Sequence, residues 1–577
     1  METVPHAVDP SRAAQHGSVV MRLLDELFPL VEGFYVDLHK NPELSHAEHR
    51  TASAVAEWLS RADYEVHTGI GGTGVVGILR NGPGPTVMLR ADMDALPVEE
   101  RTGLPYASTA RAVDADGTEV PVMHACGHDA HTACLVGAAD LLAETRQEWS
   151  GTVMIVAQPA EESLEGAQAM LEDGLFERFG RPDIVLGQHL GPQPAGLISH
   201  RAGIILGSSH SYRVRIHGEG GHASQPNATV DPVLIAANIV TRLQGVVSRE
   251  ISPSEMAVLT VGRIQAGTTA NIIPDEAYLE INTRALNDNV AAQLEAAIER
   301  IVNAEAAASG AIRPPSVERF QSAGVTRNDP DGTADVAAAH HAYFGEDYVI
   351  HLPDPFPATE DFGRFGLPGD PQPIPYVFWF VGATPHDVWE TAPGDTPYEK
   401  MGNVPGTHSP FFAPAREPAL RAGLAALTVA ALTYLGSDRG SVQGQALPPT
   451  AVHGPPPGEA PAADAPPPSG LPDSEAYDSA YLAATPWPAY GEERAKSTHE
   501  ADMGAMMEAQ DEELREEWRS GKVEESTMSA DMAAFLDDEP QGPPAGRSYG
   551  GPPPQGSAHQ APPPGRDDGR PGSEYPL

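Results

Sequence analysis

Between Met123 and Thr132 the chain reads M-H-A-C-G-H-D-A-H-T, which sets Cys126, His128 and His131 beside Asp129. Thiolate and imidazole suit zinc-like divalent ions, so this run supplies several ligands at once. Further donors stand far away in the chain: Glu161 and Glu162 in Q-P-A-E-E, His189 in G-Q-H and His408 in G-T-H-S-P-F-F. The set Cys126, His128, Glu162, His189 and His408 exceeds what one tetrahedral catalytic ion with an open position requires. It points to two ions sharing a ligand, with Cys126 the candidate for the shared donor. Two ions a few ångström apart lower the pKa of a water held between them and polarise the carbonyl it attacks. Glu161 neighbours a ligand but stays uncoordinated in this scheme, which makes it the candidate acid–base residue.

Donors so scattered need elements that bring them to one place. Thr86–Leu89 is an almost wholly apolar strand, as expected of burial on both faces, and runs into R-A-D-M-D-A-L-P at 90–97. Asp92 and Asp94 therefore follow its carboxyl end, where open α/β sheets place their active sites. Thr152–Ala157 is a second such strand, leading to Glu161 and Glu162, and Asp183–Gly187 a third, leading to His189. Independent surface placement would rarely end three apolar strands in this way. Helices are expected over Ser18–Lys40, His49–Ala62, the stretch after Asp129, Ala334–Phe344 and Pro418–Leu435. Strands are expected at Val75–Leu79 and Val377–Val381. His39 reads as a structural histidine, and Asp129 and His131 as residues that begin a helix and support the site.

From about 201 the pattern changes to strand Tyr212–His217, helix Pro232–Glu250, strands Ala257–Ile264 and Glu276–Ala285, helix Asn289–Ser309 and a strand near Ser316–Phe320. This β-α-β-β-α-β order is the ferredoxin-like split arrangement. The organisation expected is an α/β catalytic domain in two parts, 18–200 and 321–436, with a domain inserted at 201–320. A Pro/Gly-rich acidic tail follows at 437–577, too poor in apolar residues to offset its ordering entropy and so expected to be disordered. Within it, 498–538 is helix-prone, a linker or a candidate protein-binding segment.

The formal net charge of −44 argues against a nucleic-acid partner, which would need clustered Lys and Arg. Cys126 and Cys134 are the only cysteines, so no disulfide framework is expected and a reducing compartment fits. Met1–Gly17 has no apolar segment of the signal type, and no uninterrupted apolar run reaches the roughly 20 residues that span a bilayer. The expectation is a cytoplasmic protein with no membrane association.

The motifs L-H-K-N-P-E-L-S, R-A-D-M-D-A-L-P-V-E-E, H-A-C-G-H-D-A-H-T, Q-P-A-E-E, G-Q-H, G-G-H-A-S-Q-P, N-I-I-P-D and T-H-S-P-F occur in this order between Ser18 and Leu435. Together they resemble the aminoacylase and hippurate-hydrolase branch of the di-metal zinc-peptidase family, which includes auxin-conjugate amidohydrolases. The resemblance implies a catalytic α/β domain with an inserted lid that commonly mediates homodimers, two divalent ions (Zn, Mn or Ni), and hydrolysis of the amide of an N-acyl amino acid. It supports Cys126, His128, Glu162, His189 and His408 as ligands and Glu161 as acid–base. It also implies an oxyanion-stabilising role for His222 in G-G-H-A, and contacts from Asn271 and Arg284 to the substrate carboxylate. Asp94 is expected to orient a ligand, and Asp92 is left open. The segments 366–375 and 384–405 look longer than in relatives, which touches the substrate more than the chemistry. Alternatives are a dipeptidase or N-acetyl-diaminopimelate deacetylase and, from another class, a scaffold acting through the acidic tail.

Overall fold

A computed structural model of the protein describes residues 10–435; the tail from 437, with its 498–538 segment, lies outside the described residues. The larger of the two main sheets has eight strands, in the order Glu65–Ile70, Gly74–Asn81, Gly151–Gln158, Thr86–Asp92, Ile184–Pro194, Tyr376–Thr384, Ile198–His200, Val349–His351. Thr86–Asp92 runs parallel to Gly151–Gln158 and Ile184–Pro194, and the last of these is parallel to Tyr376–Thr384. These strands are rich in Val, Ile, Leu, Met and Phe because helices or aromatic side chains cover both faces. The helices Leu24–Lys40, His128–Glu144 and Arg416–Leu435 pack on one face, and Phe362, Phe365, Phe378 and Phe380 join Met88 and Met154 on the other. Arg416–Leu435 is long and apolar enough to cross a membrane, but here it is a core helix, buried nearly all round.

The lid is a separate antiparallel sheet in the order Ala257–Ala266, Glu276–Ala285, Ser208–His217, Ser316–Ala323. Its helices Pro232–Arg249 and Asp288–Ala308 share an apolar core with the sheet. Glu276–Ala285 shows the reason: Ala277, Leu279, Ile281, Thr283 and Ala285 alternate inward while their neighbours are half-exposed. Both helices start at real caps. Asp231 accepts from the Val233 and Leu234 N–H groups with Pro232 in the first turn, and Asn287 accepts from Val290. The chain crosses to the lid through Gly203–Leu206 and returns through Thr326–Asn328, which pair antiparallel.

Two expectations are refined and one strand is new. The single helix over Ser18–Lys40 is two, Pro10–Val20 and Leu24–Lys40, joined by a 3₁₀ turn at Met21–Leu23. The apolar face continues through that turn, so periodicity alone does not register it. The strand expected to end at Gly187 continues to Pro194, so His189 sits inside it. The outer strand Glu65–Ile70 was not anticipated; its burial is almost confined to Ile70.

Candidate active site

The parallel strands deliver their carboxyl ends to one edge of the sheet, and the donors gather there. Gly127, between Cys126 and His128, has φ 85° and caps the helix that begins at His128. That conformation favours glycine, and a Cβ there would in addition lie 2.9 Å from Leu190 Cδ1. The turn carrying Glu161 is equally constrained. Ala160 has φ 50°, its N–H donates to Glu48, and a Cβ on Gly166 would lie 1.6 Å from Pro159 O. His408, at φ 68°, is pinned through its N–H to Ala125 O at 2.7 Å. With Leu164 at φ 57° in the turn carrying Glu161, three non-glycine residues in the left-handed region mark a geometry held by its surroundings.

Cys126, His128 and His189 offer donor atoms within 4.8 Å of one another, and so do Cys126, Glu162 and His408. Cys126 belongs to both groups. Sγ lies 3.4 Å from His189 Nε2, and Glu162 Oε1 lies 3.3 Å from His408 Nε2 and 3.9 Å from His128 Nε2. The imidazoles are oriented from behind. His128 Nδ1 faces Asp94 Oδ1 at 3.2 Å, and His189 Nδ1 donates to Leu190 O at 2.6 Å, which turns each Nε2 toward the cluster. The other Asp94 oxygen accepts from Ser45 Oγ and from the Glu162 N–H, so one carboxylate ties His128 to the glutamate turn.

The electrostatics call for a cation. His128 Nε2 and Glu162 Oε1 are buried without a hydrogen-bond partner. Burial by itself would depress the His128 pKa, yet Asp92, Asp94 and Glu162 carry it up to about 10. Burial and then Glu162, Glu161 and Asp92 push the Cys126 thiol well up. A site that suppresses its own thiolate while crowding carboxylates around a histidine suits divalent ions, which supply the missing positive charge and deprotonate the thiol. Burial and His131 hold His189 well below its usual value, in the neutral form that ligates.

Glu161 stands beside this cluster. Its Oε2 lies 3.9 Å from His128 Nε2, and burial followed by Glu360 and Glu162 raises its pKa well above the carboxylate range. The sequence reading missed what stands behind it. Arg90, fully buried, donates to Asp92 at 2.7 Å, Glu360 at 2.8 Å, Asp361 at 3.3 Å and Gln158 at 2.8 Å. Asp92 also accepts from His131 Nδ1 at 2.6 Å, while His131 Nε2 accepts from the Leu190 N–H, which fixes that ring's tautomer. A readable signal existed: an arginine inside the apolar strand V-M-L-R-A-D must find counter-charges in the interior.

Three expected residues stand apart from this cluster. His222 is exposed on a two-residue strand of the lid, its Nδ1 2.7 Å from Ser224 Oγ. Asn271 is exposed and accepts from the Ala223 N–H through its carbonyl. Arg284 donates to Pro357 O and Thr359 Oγ1.

Residues 88–400 match the family described as Peptidase family M20/M25/M40. The chain is 39% identical over 350 residues to hippurate hydrolase of Campylobacter jejuni, covering 60% of this chain and 88% of the relative. It is 36% identical over 364 residues to N-acetylcysteine deacetylase of Bacillus subtilis, covering 61% and 88%. Among solved structures, the YXEP protein of Bacillus subtilis, a dinuclear metal binding peptidase of the M20 family, superposes with a TM-score of 0.55 at 28% identity, over 71% of this chain and all of that one (100%). Converging donors and sequence matches agree: the chain belongs to peptidase family M20/M25/M40 and is a metal-dependent amidohydrolase.

Proposed function

We propose that the protein hydrolyses the amide bond of N-acyl amino acids, of the hippurate or N-acetyl-amino-acid kind, to a carboxylic acid and a free amino acid. The observation that carries this reading is the double membership of Cys126 in two donor groups, with Glu161 buried beside them. The names of the relatives, hippurate hydrolase and N-acetylcysteine deacetylase, agree with it.

Cys126, His128 and His189 would hold one divalent ion, and Cys126, Glu162 and His408 the other; of zinc, manganese and nickel, zinc is the one that both thiolate and imidazole favour. When bound, the pair supplies Lewis acidity and a water of lowered pKa. Asp94 fixes the His128 ring so that Nε2 stays aimed at the cluster. Glu161 takes a proton from the attacking water on a carboxylate oxygen and passes it to the leaving amine nitrogen. His222, on the lid, would donate to the developing oxyanion, and Asn271 would face the substrate carboxylate, once the lid or a second copy brings them near.

A homodimer through the lid accords with the outer strand Ala257–Ala266, which exposes Val258 and Ile264 together with an unpaired edge. We also propose a cytoplasmic location and the division 18–200 and 321–436 against 201–320. The test is a panel of N-acyl amino acids and dipeptides given to metal-reconstituted protein, with Glu161→Gln as control. Turnover of acylated substrates that collapses in the variant supports the reading. Preference for dipeptides would transfer it to a dipeptidase, and full activity in the variant would remove Glu161 from the acid–base role.

A further inference from the structure

The segment 353–361 forms a strap between lid and acid–base residue. Near its start it grips the crossing into the lid. The Phe356 N–H donates to Ile205 O at 2.9 Å, and the Gly207 N–H donates to the carbonyls of Phe356 and Ala358 at 3.1 and 2.9 Å. Gly207 is the residue between the crossing strand Gly203–Leu206 and the first lid strand. In its middle, the strap takes Arg284 from the lid strand Glu276–Ala285: Nη1 donates to Pro357 O at 3.2 Å and to Thr359 Oγ1 at 3.4 Å. One residue further on, Glu360 receives Arg90, and the carboxylate oxygens of Glu161, Glu360 and Asp361 come within 4.8 Å of one another. Asp361 is itself fixed by the Ala167 N–H at 2.9 Å and by Gln158 at 2.7 Å.

The chain thus has little slack between the point where the lid holds it and the point where it meets Glu161. We infer that Arg284 and Thr359 are positioning residues for the amide hydrolysis proposed above, coupling the lid sheet through the strap to the carboxylates that surround Glu161. Arg284 then acts on the turnover step through Glu360, in place of the substrate-carboxylate contact expected of it. A shift of the strap moves Glu360 against Glu161, and small misplacements at a reacting centre are expensive in rate. The inference rests on the amidohydrolase reading.

The test compares Arg284→Ala, Thr359→Val and the double variant, in the full metal-loaded chain, by two measurements. With an N-acyl amino acid that the wild type hydrolyses, each single variant should lower kcat by about tenfold with KM little changed, and the double should be no worse than either single. Amide exchange over 353–361 should rise in each variant. A rise in KM in Arg284→Ala with Thr359→Val silent would overturn the inference and return Arg284 to the substrate carboxylate. If the wild type hydrolyses no member of the panel, the substrate reading fails, and exchange alone then decides the strap. Unchanged exchange in both single variants overturns the coupling, and raised exchange upholds it.

Discussion

The carboxyl-terminal edge of the large sheet and the lid sheet handle charge in opposite ways. At the first, Arg90, Asp92, Asp94, His128, Asp129, Glu161, Glu360 and Asp361 are all buried. In the lid the core is apolar, and the charges form a ladder on the outer face: Arg213 and Arg263 with Glu280, and Arg215 with Glu276. Desolvating a charge costs several kcal/mol even when it is paired, so a fold concerned only with stability would choose the lid's solution. In the proposed mechanism the buried charges of the other edge aim ligands and a proton carrier. Buried polar networks mark where the chemistry is, and outward ladders mark a scaffold.

The contrast can be broken by substitution, and the largest effect is expected at Glu161. Glu161→Gln should lower kcat by about 10²–10⁴-fold with metal content unchanged; steady-state kinetics beside metal analysis checks both. Arg90→Met removes the one guanidinium among Asp92, Glu360 and Asp361 and should destabilise the fold by about 3–5 kcal/mol in urea unfolding. Asp94→Asn leaves His128 Nδ1 without its anionic partner and should weaken metal binding by about 10–100-fold, read by competition with a chelator.

A pH dependence sharpens the same comparison. Burial alone would depress His39, but its bonds to Asp129 at 2.7 Å and Glu100 at 3.2 Å bring it up to about 9. Its folded-state pKa therefore lies above the unfolded value of about 6.5. The stability it contributes is fully present below about pH 6.5 and is lost as the pH rises toward about 9. His39→Gln should flatten that slope in urea unfolding measured across the window. The smallest effect belongs to the lid: Arg215→Ala breaks a bidentate but exposed pair with Glu276 and should leave the melting temperature within error.

What was legible in the sequence follows from the same physics. Apolar strands are recognisable because both faces are buried, and their polar ends stand out against them, which singles out Glu161, Glu162, His189 and the Asp92–Asp94 pair, while Cys126 and His128 stand out by the density of donors in M-H-A-C-G-H-D-A-H-T. The lid was legible because period-two alternation in Glu276–Ala285 and the Asp231-Pro232 cap are local signals. Glu360 and Asp361 were not, because T-E-D in a loop looks like a solvated turn until a residue 270 positions away, Arg90, is placed against it. Nor does any motif show which way a lid faces, so the sequence suggested that His222 and Arg284 serve the site without indicating that one is exposed on the lid and the other bonded to the strap. The tail, with 498–538, lies outside the described residues.

The central claim is that the Cys126 thiolate serves two ions at once. Cobalt(II) titration of the metal-free protein tests it most directly, with stoichiometry and thiolate-to-cobalt charge-transfer absorption read together. The account predicts two ions per chain, an absorption that grows with both, and its complete loss in Cys126→Ala. A stoichiometry of one, or a charge-transfer band that survives the substitution, would contradict it.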